Sequence, residues 1–241
     1  MLKPETERGP TLSTPAAPAP PHATLEAAAL LTLSGGFLDA FTYVGHGHVF
    51  ANAMTGNVVL LGVFAAAGDW PQAWRHIPPI IAFLLGVFTA QLLGRPSPRP
   101  LLRHPALLCL VLEILFLCGA AWLPVSFPDL WLVLGLSFVA ALQNSSFPKV
   151  GSWSYNSVMT TGNLRRFAEG LFMAFQPGQR GDGLGQARTF GLVCTLFLLG
   201  AFTGAVCTPH LHNLALLIPA VLLTVVLLRI QRSLRHLRGG A

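Results

Sequence analysis

The sequence predicts an all-α integral membrane protein with duplicated halves, and three observations lead there. Hydrophobic residues make up 53% of its 241 residues and charged residues only 10%, with a mean hydropathy of +0.60, whereas a soluble domain carries about 25% charge. Charge-poor stretches recur along the chain, several near the about 20 residues that a membrane span needs. The polar word Thr-Gly-Asn opens two of them, within FANAMTGN at Phe50–Asn57 and YNSVMTTGN at Tyr155–Asn163.

In chain order, residues 1–24 hold Pro4, Pro10, Pro15, Pro18, Pro20 and Pro21 among Ala, Ser and Thr. They have little to bury and are expected to form a disordered tail. Residues 25–122 form a first membrane repeat and 123–232 a second, each with four charge-poor segments. These are Ala27–Gly45, Ala51–Ala67, Pro79–Gly94 and Arg103–Trp122, then Asp129–Phe147, Val158–Phe175, Ala187–Cys207 and Asn213–Arg229. The first segment lacks the compact basic region and small-residue cleavage site of a signal peptide, so it reads as a retained helix. Residues 233–241 complete a basic tail whose arginines suit the cytoplasmic face and anionic lipid.

Three ordered matches suggest the duplication. FLLGVFTA at Phe83–Ala90 returns as FLLGAFTG at Phe197–Gly204, 114 residues on; Gly56-Asn57 returns as Gly162-Asn163 at 106; GGFLDAF at Gly35–Phe41 aligns loosely with AALQNSS at Ala140–Ser146 at 105. If the second segment of each half enters and leaves on one side, six helices cross, and a 3+3 inverted repeat with two re-entrant or broken helices results. Both termini then lie inside with fourteen of the fifteen basic residues, and Arg75 alone lies outside. The alternative is eight spans in parallel 4+4 repeats, which leaves six basic residues outside against the positive-inside tendency. Segment length alone leaves both arrangements open, because Ala51–Ala67 is nearly long enough to cross when tilted.

The net charge of +6 does not point to nucleic acid, since the basic residues sit between spans instead of along one face. Cys109, Cys118, Cys194 and Cys207 form no C-x-x-C pair and read as packing residues. HGH at His46–His48 and HLH at His210–His212 are i,i+2 histidines, which do not complete a metal shell, so no metal or cofactor is expected. No dinucleotide, Walker, zinc-hydrolase, acyl-transfer or kinase constellation is present, and the chain is not expected to be an enzyme.

Thr and Asn are good residues for a helix start, and Gly permits a bend or a close backbone approach. Thr55, Gly56 and Asn57, with Thr161, Gly162 and Asn163, therefore read as starts or breaks of helices, lining a central solute site or fastening helices together. Asp39, inside GGFLDAFTY, is a costly intramembrane acid. It is a candidate for proton coupling, or else it accepts a structural hydrogen bond from an asparagine, a threonine or a helix end. Glu113 is a second such acid, whereas Glu169 is placed to pair with Arg165 and Arg166 on one helix. Gln143 and Asn144, with Ser145 and Ser146, form a polar helix end that is expected to face the same cavity as Asn156 and Asn163. The expected partners are the bilayer and a small solute. A non-transporting scaffold or sensor is the alternative.

Gly36, Asp39 and Ala40, the stretch Phe50–Asn57 ending in MTGN, the FLLG segment and the second Thr-Gly-Asn together resemble the YoaK family of bacterial inner-membrane proteins. The resemblance covers about residues 27–232. It implies a multi-pass protein with some six spans, and no particular substrate.

Overall fold

A computed structural model describes residues 24–95 and 104–239, so most of the proline-rich tail and the Arg99–Arg103 stretch lie outside the described residues. Helix α1 (Leu25–Gly45) starts where the Thr24 hydroxyl accepts the N–H of Ala27 at 3.2 Å, and it ends in a turn in which Gly47 and His48 have φ of +82° and +59°. The chain returns through a short loop into α2 (Met54–Ala66), then α3 (Trp70–Arg75) and α4 (Ile77–Leu93). Helix α5 (Pro105–Ala121) follows, and then α6 (Asp129–Ser146), a loop, α7 (Thr160–Ala174), α8 (Arg180–Leu211) and α9 (Leu217–Gly239). The loop before α7 carries a two-residue hairpin, β1 (Lys149–Val150) with β2 (Trp153–Ser154), turning at Gly151.

The core lies between α1, α5, α6 and α9, where Leu31, Phe37, Leu110, Leu117, Leu136 and Leu223 are buried. Helix α8 packs on α1 and α7, while α4 packs on α6. Glycine makes the α1–α8 and α4–α6 crossings possible. A Cβ at Gly200 would lie 2.0 Å from the Leu33 carbonyl and one at Gly36 2.1 Å from the Phe197 carbonyl. At the other crossing, a Cβ at Gly86 would lie 2.5 Å from the Phe138 carbonyl. The outer faces are apolar: Leu84, Phe88, Leu115, Leu198 and Phe202 are all more than 60% exposed, which suits lipid rather than water. Three threonines are satisfied within their own helices; Thr89, Thr195 and Thr224 each donate to the carbonyl four residues back at 2.7–2.9 Å.

Among the described residues, three stretches, Leu25–Gly45, Trp70–Leu93 and Arg180–His236, are long and apolar enough to cross a membrane. The last is not one straight rod, because His212 takes φ +49° and a 3-10 turn (His212–Leu216) joins α8 to α9. Helices α2 and α5 are apolar but shorter. The 13 residues of α2 reach about 20 Å, less than a bilayer core of about 30 Å. Six separate spans are therefore not established by length and composition.

Two boundaries differ from the sequence expectation for identifiable reasons. Helix α8 starts at Arg180, not Ala187, and takes in Gly181, Gly183 and Gly185, which look like loop residues. Gly183 is instead a contact: its Cβ would lie 2.4 Å from the Ala174 nitrogen, and that of Gly170 2.6 Å from the Ala187 nitrogen, so α7 and α8 meet backbone to backbone. Helix α9 runs on through Arg232 and Arg235 into the stretch expected to be a tail. Its Arg229 pairs with Glu26 at the start of α1.

Candidate functional site

The two Thr-Gly-Asn words do the same local work. Asn57, fully buried in the first turns of α2, accepts the N–H of Phe50 at 2.9 Å and donates to the Phe50 carbonyl at 2.7 Å. Asn163 on α7 accepts the N–H of Asn156 at 3.3 Å and donates to its carbonyl at 2.6 Å. Each side-chain amide thus imitates a strand partner for the residue seven positions earlier, holding an irregular loop whose polar backbone would otherwise be unpaired in an apolar setting. This is not helix capping of the expected kind: Ala53 and Met159 precede the two helices, and neither makes a side-chain cap.

Asp39 bolts the first of these loops to α1. Its Oδ1 accepts the N–H groups of Asn52 at 2.7 Å and Ala53 at 3.2 Å, immediately before α2 begins. Asn52 reaches back to the Gly35 carbonyl at 3.1 Å, and the Thr42 hydroxyl accepts the Ala51 N–H at 3.1 Å. Asp39 is 5% exposed, and its Oδ2 has no hydrogen-bond partner. The loop before α7 reaches α1 from the other half, since a Cβ at Gly35 would lie 2.8 Å from the Ser157 carbonyl. Gly35 and Gly36 therefore admit one neighbour each, the loop on one side and α8 on the other.

These two approaches border an open pocket, a cavity of about 580 Å³ between α1, α2, α7 and α8. Asp39, Thr55, Gly56 and Thr161 all stand in its wall, joined by Tyr43, Phe50 and Thr160, which lie in the same sequence words but are not among the expected site residues. The Thr160 hydroxyl is buried without a partner. Asn57 and Asn163 are absent from the wall because their amides are held by their own loops, and Asn156 is occupied as the partner of Asn163 and as acceptor of the Val158 N–H at 2.9 Å. A Cβ at Gly162 would meet open space.

The remaining candidates lie elsewhere. Gln143 is buried at the end of α6 and Asn144 partly so, both outside this wall. Ser145 and Ser146 border a different cavity of about 400 Å³, among α4, α5, α6 and α9. Packing explains the split: α6 packs mainly on α4 and α5, and its polar end borders the cavity between them. Glu113 is fully buried on α5 with both carboxylate oxygens unpartnered, on a helix that contributes nothing to the 580 Å³ cavity. Glu169 pairs with Arg165 at 2.8 Å. His46 of the HGH motif bonds Asp129 at 2.7 Å, and among the described residues no three His, Cys, Asp or Glu side chains gather as a metal site would require.

The family described as "Protein of unknown function (DUF1275)" matches residues 27–229. The chain belongs to this family. Among DUF1275 relatives, the "UPF0700 transmembrane protein YoaK" of Bacillus subtilis (strain 168) is 28% identical over 202 residues, covering 80% of this chain and 88% of that protein. No solved structure matches the chain. Together with the three membrane-length apolar stretches, DUF1275 membership makes this a multi-pass membrane protein. The match takes in both loops and all four helices around the cavity.

The double bond to Asp39 makes a testable difference between two substitutions. Asp39→Asn keeps an oxygen for the Asn52 and Ala53 N–H groups and should fold with little loss of stability. Asp39→Ala leaves both without that acceptor, at about 1–3 kcal/mol for each buried unpaired group. Thermal unfolding in detergent should rank wild type and D39N together, with D39A clearly lower. Equal melting of D39A and wild type would mean that the carboxylate does not hold the α2 entrance.

Proposed function

We propose that this protein carries or conducts a small solute across the bacterial inner membrane, through a site centred on the cavity between α1, α2, α7 and α8, and is not an enzyme. One observation supports this most: the starts of the two Thr-Gly-Asn helices, 106 residues apart in sequence, border a single cavity that also includes an intramembrane carboxylate. Helix starts and irregular backbone at membrane depth are tolerated where they line a cavity, and transporters place their binding sites at such breaks. In this reading Thr55, Gly56, Thr160 and Thr161 border the path, Asp39 is the coupling group, and Asn57, Asn156 and Asn163 shape the path by fixing its loops. Glu113, Gln143 and Asn144 have at most an indirect role through α5 and α6.

The architecture that goes with this reading is a 3+3 inverted repeat with α2 and α7 re-entrant and both termini cytoplasmic. Paired contacts support the duplication on which it rests, while the inverted orientation rests on the placement of the basic residues. Gly86 meets the Phe138 carbonyl and Gly200 the Leu33 carbonyl, residues related by the same offsets of 114 and 105 at which the sequence words return. The exposed Arg232 and Arg235 near the end of α9 then face anionic lipid at the cytoplasmic surface.

A non-transporting scaffold is the second reading, favoured by the complete use of Asn57 and Asn163 in local hydrogen bonds. Cysteines at positions 55 and 161, in a background freed of the four native cysteines, separate the two. The carrier reading expects both to react with a small water-soluble methanethiosulfonate in membranes, and to be bridged within one chain by a short bifunctional reagent. A folded protein in which neither reacts would leave the scaffold.

A further inference from the structure

Resting on the reading of this cavity as a solute site, we propose that its solute is a small organic monocation, an ammonium group on a compact apolar body, with Asp39 as counter-ion. Among the described residues of the wall, Asp39 is the single carboxylate, and there is no Lys, Arg or His to oppose it. Its two oxygens are unequal. Oδ1 is engaged by the Asn52 and Ala53 N–H groups, while Oδ2 is buried without any donor from the protein. A buried acceptor without a donor is costly, and a small turn of the carboxylate toward the cavity that Asp39 borders would let an ammonium, which only donates, satisfy it.

The rest of the wall suits the remainder of such a solute. Tyr43 and Phe50 stack with ring centres 4.9 Å apart and 20° between planes, and both border the cavity. Aromatic faces attract cations, most strongly where water is displaced. The Thr160 hydroxyl, also without a partner, adds a second acceptor. Ala40, Ala201, Ala205, Val158, Met159 and Phe197 supply apolar surface for a hydrocarbon body. The volume of about 580 Å³ falls in the ordinary range for small-molecule sites, roughly 300–1,000 Å³.

The starts of α2 and α7 argue the other way, because helix N-termini favour anions. At α2 the acceptor is already in place: Asp39 takes the two N–H groups that precede the helix. A bound anion would therefore sit beside a carboxylate with no cation in the wall to compensate it, whereas a cation meets the carboxylate directly.

The test uses the full-length protein in detergent, with Thr161→Cys as the reporter in the background lacking the native cysteines. The rate of its modification by N-ethylmaleimide is followed with 2-phenylethylammonium, butylammonium, 2-phenylethanol or phenylacetate present. The expected result is that the ammonium probes slow labelling, by about tenfold at ten times their Kd, while the alcohol and the carboxylate do not. Asp39→Asn should erase that protection. The series of probe charges on Asp39-intact protein decides the matter alone if D39N fails to fold. Protection by phenylacetate or 2-phenylethanol equal to that by the ammonium probes, or free labelling that no ammonium slows, overturns the cation assignment and leaves a water-reachable site. A folded protein whose T161C does not react at all removes the site and this inference with it.

Discussion

Gly200→Val is expected to prevent α1 and α8 from closing and to yield little or no monodisperse protein. Even the first atom of the new side chain would lie 2.0 Å from the Leu33 carbonyl and 3.1 Å from the Phe37 nitrogen, so the obstacle is backbone on the opposing helix. Overpacking in ordinary cores costs about 1–3 kcal/mol, because neighbouring side chains can swing aside. Here only a shift of a whole helix makes room, and α1 cannot shift freely: Gly36 and Gly204 hold the same crossing, with Cβ distances of 2.1 and 2.5 Å to opposing carbonyls. Gly62→Val on α2, where nothing lies within 4 Å, is the matched control and should change stability by no more than about 0.5 kcal/mol. Gel filtration and thermal unfolding of the two variants check the expectation. Normal yield and melting of G200V would show that the crossing is looser than described.

Asn57→Ala should produce the second largest loss. It removes both partners of the Phe50 backbone, and the acceptor 3.2 Å from His76 Nδ1, at a position that is completely buried. Each unpaired group is expected to cost about 1–3 kcal/mol, the lower end applying to Phe50 because it is only partly buried. Asn57→Asp is more informative than alanine. A carboxylate can still accept the Phe50 N–H but offers nothing to the Phe50 carbonyl at 2.7 Å, so N57D should also lose stability if the two-way clamp matters. Asn163→Ala should behave in the same direction with a smaller effect, since its second donor contact, to the Met159 carbonyl at 3.2 Å, lies within the local turn. Melting temperatures in one detergent rank the three variants; N57D as stable as wild type would reduce the clamp to a single bond.

The repeated Thr-Gly-Asn word shows how far local reading goes. That it marks the start of a helix follows from residue chemistry, and α2 and α7 do begin within one to three residues of it. What its members touch does not follow. Thr55 and Thr161 reach the shared cavity, while Asn57 and Asn163 turn back by seven residues. The asparagines have equal need of partners in either place, and the nearest unpaired backbone, that of Phe50 and Asn156, exists only once the loops have bent. Asp39 illustrates the same limit. A carboxylate in an apolar helix must find a partner, but the Asn52 and Ala53 N–H groups become that partner only through the return of the chain after His48.

By itself, then, the sequence determined that this chain belongs in a membrane, where its main helices lie, and which few polar residues inside them require an explanation. Those properties depend on composition and on neighbours within a few turns, which any window of the chain contains. The tertiary structure alone decided that Gly183 is a helix–helix contact, that His46 meets Asp129, and that two helix starts 106 residues apart share one cavity with Asp39. Each of these depends on how closely particular helices cross, and a crossing is set by the combined shapes of surfaces distant in sequence, where removing a single Cβ at Gly36, Gly86 or Gly200 lets one backbone reach another.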